Sequence, residues 1–300
     1  MKTGQFLKNC LEYLLITEPG SIINTNKPVS LDKKGVYADL HAHPKAKDFK
    51  DLLFLLDVMD NKNLRICGAI DHLDTYEDNF QNIRYAAEKY GFLFQENGNI
   101  LKVRKNTRDF FFIQGLEIRY KIPGVEGACD LVCLAPEKGF RRYAREDINF
   151  DELIKICKDY DTITIATHPY TIYDPYGPKG IFRFRLANEE ERKIIANEVF
   201  PKVDTIDLVA TNCAWMIESN KLAARDYEKF GKPLASSDAH CVSKFTTKEL
   251  GRAGVIFEIT PHLETLKKYI KNEIENNNFK IQLDYTPPLQ FFRGVVLGAK

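Results

Sequence analysis

Short apolar runs alternate with helical patterns along most of the chain. Each run consists of apolar or β-branched residues and ends abruptly in polar residues, which is typical of strands. This pattern predicts strands at 36–40, 66–70, 110–113, 130–134, 162–166, 206–210, 233–235 and 254–257. Apolar residues at helical spacing predict helices at 50–62, 79–90, 150–160, 188–200, 219–230 and 263–276. Strands that alternate with helices favour a parallel sheet, either open or closed into a barrel.

The two ends of the chain and three internal stretches depart from this alternation. Residues 1–34 predict a helix over 5–15 and a polar connector, and so an N-terminal helical extension to a domain over 35–300. The least regular internal stretches, which we expect to be loop insertions, are about 96–109, 121–149 and 170–187. The C-terminal tail contains an apolar stretch that can pack on its own domain or on another subunit, so the oligomeric state stays open.

Composition narrows the class of protein. The 300 residues include 20 Phe and 14 Tyr, enough for a substantial core. The formal net charge of +1 lacks the basic excess typical of proteins that hold long nucleic acid. The seven cysteines form no CxxC motif, which indicates free thiols in a reducing compartment. With no secretory signal and no apolar stretch of about 18 residues, we expect a cytoplasmic protein without a membrane span.

Five of the six histidines, and one glutamate, come just after a predicted strand. The C-terminal ends of parallel strands converge on one face of an α/β protein, and that face carries its chemistry. These side chains are therefore expected to meet in space. They are His41, His43, His72, Glu117, His168 and His240.

Two short motifs have the spacing of chelating pairs. The side chains of His41 and His43 point the same way if the chain between them is extended, because strand side chains alternate. Asp238 and His240 repeat that spacing with a carboxylate. Imidazole and carboxylate ligands suit Zn, Mn and Fe alike, so the residues predict a site for divalent metal ions.

Five motifs, in this order along the chain, resemble those of the PHP (polymerase and histidinol phosphatase) family of metal-dependent phosphoesterases. They are Asp-Leu-His-Ala-His, Ile-Asp-His, Gly-Leu-Glu, Thr-His-Pro and Ser-Asp-Ala-His, and the resemblance runs from about Val36 to about Phe257. It implies an α/β fold, a distorted (β/α)7 TIM-like barrel, with two or three metal ions on its C-terminal face.

The resemblance also implies how the ligands are shared. One ion would take His41, His43, Glu117 and Asp238, and Glu117 would bridge to a second ion that His168 also binds. A third ion would take His72 and His240.

The sequence departs from the family pattern at two places. A further ligand often follows the His-x-His motif, and Asp48 is the candidate here, although it can equally be the N-cap of the following helix. Another ligand often follows the strand near Ala210, where this chain offers Asn212 or Cys213. Two occupied metal sites are therefore better supported than three.

The chemistry expected from the resemblance is hydrolysis of a phosphoester by metal-activated water. Asp238 or His240 would move protons, and Asp39 and Asp71 would orient the neighbouring imidazoles. A small phosphorylated substrate also needs cationic donors, because guanidinium groups bind phosphate in a bidentate manner. The candidates are Arg119, Lys179, Arg183 and Arg185.

Two other classes of function stay open. An amidohydrolase-type C–N hydrolase shares the barrel and the His-x-His start, but such enzymes typically bridge their metals with a modified lysine, where this chain offers Glu117. A non-catalytic PHP module that binds metal for structure is the second alternative. A nuclease is less favoured because the net charge is balanced.

Overall fold

The structure is a computed structural model that describes residues 35–73, 78–174, 184–207, 222–223, 225–227, 233–241 and 250–283. The predicted N-terminal helix, the C-terminal tail and most of the predicted 219–230 helix lie outside these residues. Within them, no helix is long and apolar enough to cross a membrane. The five described cysteines are buried free thiols.

Most of the predicted elements are confirmed, several with shifted ends. The strands are β1 Val36–Asp39, β2 Ala42–His43, β3 Leu64–His72, β4 Leu93–Asn97, β5 Ile100–Lys105, β6 Arg108–Lys121, β7 Cys129–Leu134, β8 Ile148–Asn149, β9 Ile163–Thr167, β10 Thr171–Tyr173, β11 Phe184–Leu186, β12 Thr205–Ile206, β13 Ala239–His240, β14 Ala253–Phe257 and β15 Phe279–Leu283. The helices are α1 Phe49–Asn61, α2 Asn79–Lys89, α3 Phe150–Asp159, α4 Glu189–Glu198 and α5 Leu266–Glu275.

The main sheet is curled into a half-barrel, with the strand order β12-β9-β7-β6-β3-β1-β14-β15. The pairs β1/β3, β3/β6 and β9/β12 are parallel, as expected from the intervening helices. The strand β7 runs antiparallel to both of its neighbours, and β14 runs antiparallel to β1. The expectation of a parallel sheet is therefore wrong for these strands. Residues 122–128 between β6 and β7 are too few for a crossover, so the chain turns back as a hairpin.

The first predicted loop insertion, about 96–109, is mostly strand. Its residues form the end of β4, all of β5 and the start of β6, joined as antiparallel neighbours. The apolar side chains of Leu101 and Val103 are buried among the outer core residues. Turns at Gly98 and Asn106, both with positive φ, connect the strands. The charged residues between the apolar ones obscured this alternation in the sequence.

Apolar side chains fill both faces of the sheet. The inner face carries branched residues from several strands, including Leu40, Ile70, Ile113 and Ile165. The outer face is covered by α1 to α4, and its buried residues form two further clusters, whereas α5 packs with the inner-face residues. Both faces are therefore buried, as in other α/β proteins, and polar groups emerge at the strand ends.

The segment 233–241, which we call the closing segment, links β12 at one end of the main sheet to the residues that follow β1. Leu234 N donates to Ile206 O at 3.0 Å, next to β12. Farther along, Asp238 N donates to His41 O at 2.8 Å and Cys241 N donates to His43 O at 3.1 Å. This places β13 parallel to β2, with His240 opposite His43.

Gly68 in β3 sets how closely the strands β1 and β3 approach. A Cβ atom at this position would overlap the carbonyl oxygen of Leu40, which directly precedes His41. We predict that Gly68→Ala lowers the free energy of unfolding by about 3 kcal/mol or more, because the backbone of β1 must move. Denaturant unfolding followed by circular dichroism measures the change.

Gly98→Ala is the matched control. Gly98 has φ +58°, and a Cβ atom added to it would have nothing within 4 Å, so this variant tests conformational cost alone. We expect it to cost about 1 kcal/mol. If Gly68→Ala costs no more than Gly98→Ala, the close approach of β1 and β3 is wrong.

Candidate metal centre

The predicted donor residues come together at one end of the curled sheet. His72 is the last residue of β3 and pairs in register with Glu117 of β6. His168 directly follows β9, and His41 lies two residues after the end of β1. The closing segment 233–241 brings in its own donors, which are Asp238 and His240.

Four of these side chains face one another at short range. His41 Nε2 lies 3.3 Å from His43 Nε2, and Asp238 Oδ1 lies 3.5 and 3.4 Å from these two atoms. The carboxylate oxygens of Glu117 lie 3.7 Å from His41 Nε2 and 3.5 Å from His43 Nε2. An ion held tetrahedrally at about 2.0–2.1 Å separates its ligand atoms by about 3.3–3.4 Å. The spacing therefore fits a shared metal ion.

The other ring nitrogens of the two imidazoles are already hydrogen-bonded. His41 Nδ1 lies 3.0 Å from Asp207 Oδ2, and His43 Nδ1 lies 3.1 Å from the carbonyl oxygen of Ile70. Both partners accept hydrogen bonds, so each Nδ1 carries a proton and each Nε2, when the ring is neutral, presents a lone pair. Two lone pairs at 3.3 Å repel unless a cation lies between them. The donor set thus fits a metal ion.

A second group of donors lies at the more exposed side. The imidazoles of His43, His72 and His240 offer ligand atoms within 4.8 Å of one another. The rings of His72 and His240 each stack on His43 with centroids 4.3 Å apart. His240 is 44% exposed and His72 26%, so this group faces the solvent.

A third group lies beside Glu117 and is buried. Glu117, Asp130 and His168 also offer ligand atoms within 4.8 Å of one another. Thr167 Oγ1 donates to Glu117 Oε1 at 3.3 Å and helps to fix the carboxylate. Glu117 lies next to the imidazoles of all three groups, which is the position of a bridging ligand.

Two donors have unusual backbone angles. His168 has φ +30° and Asp238 has φ +50°, in the left-handed region that residues with a Cβ rarely adopt. Such conformations cost about 1–3 kcal/mol each and are concentrated at functional sites. The surrounding hydrogen bonds hold both residues where their side chains enter the cluster.

The buried charges of the site shift its pKa values in opposite directions. Burial and the nearby imidazoles of His72 and His240 lower the pKa of His43 to about 3. Burial opposes protonation of His168 as well, but the nearby carboxylates of Glu117 and Asp130 raise its pKa to about 9. The site therefore attracts positive charge, and metal ions would displace protons from it.

The predicted metal ligand Asp48 lies outside this cluster of groups. Its side chain is exposed and accepts a hydrogen bond from Asp51 N at 2.9 Å, at the start of α1. This is the helix N-cap that the sequence left as the alternative. We do not include Asp48 in the proposed centre.

The sequence predicted that Asp39 and Asp71 orient the neighbouring imidazoles, whereas the hydrogen bonds described here hold backbone segments. Asp39 accepts hydrogen bonds from Ser237 N at 3.0 Å, Ser237 Oγ at 2.5 Å and Gly251 N at 2.8 Å. It thereby ties β1 to the closing segment. Asp71 accepts a hydrogen bond from Asn79 N at 2.7 Å, at the start of α2. Both carboxylates anchor backbone segments that carry or flank donors.

Arg119 lies on the same face of β6 as Glu117, two residues farther along. Its guanidinium group lies over the ring of Tyr173, 4.2 Å from the centroid. Its Nε lies 3.8 Å from Asp130 Oδ1, and its Nη1 lies 3.6 Å from Glu146 Oε2. Arg119 is thus near the donors and partly neutralised by carboxylates.

Arg185 has internal partners. It makes a bidentate ion pair with Glu191 at 2.6 and 2.7 Å and donates to Glu126 O at 2.6 Å. These bonds join β11 to α4. Lys179 and Arg183 lie outside the described residues.

Sequence reasoning missed two aspartates of the site. Asp207 accepts from His41 and is itself held by Ser236 Oγ at 2.6 Å and Ser236 N at 3.1 Å. Its position falls inside a predicted strand. Asp130 stands at the start of a strand rather than after one. Because β7 is antiparallel, the beginning of β7 lies beside the carboxyl end of β9, so a rule that considers only C-terminal strand ends misses it.

Comparison with solved structures shows that this chain shares its fold with a known protein. No protein-family model matches the chain, and no curated protein matches it. The crystal structure of PsfC from Pseudomonas syringae PB-5123 is similar with a TM-score of 0.53 and 12% identity, over 88% of this chain and 96% of that one. At this identity the likeness shows a shared fold alone.

Two further solved structures align less closely. One is from Bifidobacterium adolescentis and is assigned as a metal-dependent phosphoesterase, with a TM-score of 0.39, 12% identity, and coverage of 69% of this chain and 88% of that one. The other is an amidohydrolase from Chromobacterium violaceum, with a TM-score of 0.44, 10% identity, and coverage of 81% and 97%. At TM-scores below 0.5, neither supports a statement about this chain.

Asp207 orients His41, and its replacement tests that role. We predict that Asp207→Asn weakens divalent metal binding about 10- to 100-fold, because the amide no longer fixes the imidazole with a charged acceptor. Competition with a chromophoric chelator measures the affinity.

Asp204→Asn is the control. The Asp204 carboxylate accepts from a backbone N–H and a hydroxyl of one residue, Thr164, as Asp207 does from Ser236, but it holds Thr164 rather than an imidazole. We expect unchanged metal affinity. Equal weakening in both variants would show that Asp207 acts on general stability instead.

Proposed function

We propose that the protein is a metal-dependent phosphoesterase of the PHP type and that its curled sheet is a distorted (β/α)7 barrel. The observation that carries the proposal is that the Nε2 atoms of His41 and His43 lie 3.3 Å apart and that oxygens of Glu117 and Asp238 each lie 3.4–3.7 Å from both of them. The order of the five motifs along the chain is the second support. The proposed substrate is a small phosphorylated molecule.

In this proposal, two or three divalent ions, Zn, Mn or Fe, are shared among the three donor groups. Such ions lower the pKa of bound water and neutralise charge on phosphoryl oxygens. His41, His43, Glu117 and Asp238 would hold the first ion, with His168 beside Glu117 for the second. His72 and His240 would hold a third at the solvent side.

Glu117 supports phosphoester chemistry over C–N hydrolysis. Its carboxylate lies within 3.7 Å of His41 Nε2 and within 3.6 Å of His168 Nε2, between two of the donor groups. A carboxylate at the bridging position is what the PHP resemblance implies, whereas amidohydrolases typically place a modified lysine there. We therefore favour a phosphoesterase over an amidohydrolase.

His240 is better placed than Asp238 to exchange protons with solvent. The His240 side chain is 44% exposed, whereas the Asp238 side chain is 10% exposed and faces two imidazoles. A proton taken up at His240 can reach bulk water directly. Asp238 is the better metal ligand because the charge on His41 keeps the pKa of this carboxyl low despite its burial.

Arg119 is the proposed phosphate-binding side chain. It shares the face of β6 with Glu117, and stacking on Tyr173 holds the guanidinium plane in place. A bound phosphate would compete with Asp130 and Glu146 for its N–H groups. Arg185 already makes a bidentate pair with Glu191, so we favour Arg119 over it. Lys179 and Arg183 remain candidates from the sequence.

Hydrolysis of generic phosphoesters tests the proposal. We expect metal-free protein to be inactive, and Mn²⁺ or Zn²⁺ to restore release of nitrophenolate from nitrophenyl phosphate or its diester. Glu117→Gln should lower kcat/KM about a thousandfold, because lost metal interactions cost several kcal/mol in the transition state.

Glu152→Gln is the control for a lost surface carboxylate. Glu152 is 43% exposed and pairs with Arg145, and we expect full activity. Full activity of a His168→Ala variant, or after exhaustive chelation, would contradict the proposal. Turnover of cyclic amides without phosphoesters would favour the amidohydrolase. Metal-dependent stability with no turnover at all would favour a non-catalytic module.

A further inference from the structure

The three donor groups differ in their chemistry. The group at the solvent side consists of three imidazoles, those of His43, His72 and His240. The buried group beside Glu117 has two carboxylates and one imidazole, from Glu117, Asp130 and His168. Imidazole suits Zn²⁺, whereas carboxylate oxygens suit harder ions such as Mn²⁺. The two groups should therefore differ in metal preference.

His168 is directed into the buried group. Its side chain is 6% exposed, and its Nε2 lies 3.6 Å from Glu117 Oε1, too far for a hydrogen bond. Its Nδ1 is buried and has no hydrogen-bond partner among the residues that the structure describes. The Nε2 of this buried imidazole therefore faces the Glu117 carboxylate without a short hydrogen bond, and a cation between them would satisfy both groups.

Asp130 is placed beside another carboxylate in the protein interior. It is 6% exposed, and Glu117 is 5% exposed. Ligand oxygens of the two carboxylates lie within 4.8 Å of one another, so their charges repel. The guanidinium group of Arg119 offsets this in part, with its Nε 3.8 Å from Asp130 Oδ1. Two buried carboxylates at this spacing favour the binding of a cation.

We propose that Asp130 completes a separate, oxygen-rich metal subsite with Glu117 and His168. Relative to the imidazole group of His43, His72 and His240, this subsite favours Mn²⁺ or Fe²⁺ over Zn²⁺. The PHP resemblance supplies no ligand at this position, and the antiparallel direction of β7 brings it in. The inference rests on the proposed metal centre, but it concerns selectivity and not the reaction.

The test is the number and affinity of bound Mn²⁺ ions in the full chain. Metal-free protein is titrated with Mn²⁺ while the electron paramagnetic resonance signal of the free ion is followed. We expect Asp130→Asn to weaken one Mn²⁺ site at least about tenfold and to leave the others unchanged. Asp130→His should also weaken that Mn²⁺ site but retain Zn²⁺, because it replaces an oxygen ligand with imidazole.

Asp147→Asn is the matched control. Asp147 is 50% exposed and pairs with Lys121, so we expect wild-type Mn²⁺ binding. Unchanged Mn²⁺ binding in Asp130→Asn would overturn the inference. Equal loss of Mn²⁺ and Zn²⁺ in Asp130→His would also overturn it, because that result indicates a structural role.

Wild-type protein provides a second test that needs no variant. With one Mn²⁺ per chain, electron spin echo modulation should show coupling to the nitrogen of one histidine. Coupling to three histidines would place the ion in the imidazole group and overturn the inference. Neither readout depends on hydrolysis. If Asp130→Asn loses one Mn²⁺ site but the wild-type protein hydrolyses no phosphoester, only the proposed function is overturned. If the wild-type protein hydrolyses phosphoesters but Asp130→Asn binds Mn²⁺ as the wild type does, only this inference is overturned.

Discussion

Two imidazoles and two carboxylates lie close together inside the protein, and the surrounding strands must hold them there. His41 and His43 are fully buried, and Glu117 and Asp238 nearly so. Taking ionised carboxylates out of water costs several kcal/mol each unless positive charge compensates them. The neighbouring carboxylates raise the pKa of His41 and of His168, so protons there favour that compensation, and metal ions would supply it more fully. The strained backbone at His168 and Asp238 shows that the fold holds the donors in this arrangement.

The donors are held in place because contacts connect distant parts of the chain to β1. The register of β3 and β6 places His72 opposite Glu117, and Gly68 lets the backbone of β1 come close to β3. Asp39 then holds the backbone of Ser237 beside β1. A donor cluster built from several strands is precise because each member is fixed by backbone pairing rather than by one flexible loop.

The sequence predicted the presence of the donors better than the path of the chain between them. Histidines after apolar runs indicated where strands end, and that signal survives errors in the ends of the elements. The direction of β7 was not predictable from apolar periodicity, which is the same in parallel and antiparallel strands. Because the antiparallel direction of β7 was not predicted, Asp130 was not recognised as part of the site. Asp207 was hidden because a buried carboxylate that accepts from an imidazole looks, in sequence, like any polar residue at a strand end. At Asp48 the sequence left two alternatives open, because an N-cap and a metal ligand can be the same residue type, and the side chain makes the N-cap hydrogen bond.

Crystals grown with Zn²⁺ and Mn²⁺, with anomalous diffraction recorded at both absorption edges, would locate any bound ions. We expect a metal ion within about 2.0–2.4 Å of His41 Nε2, His43 Nε2 and a Glu117 oxygen. Absence of any anomalous peak between these side chains, in protein whose backbone matches the present structure, would contradict this expectation.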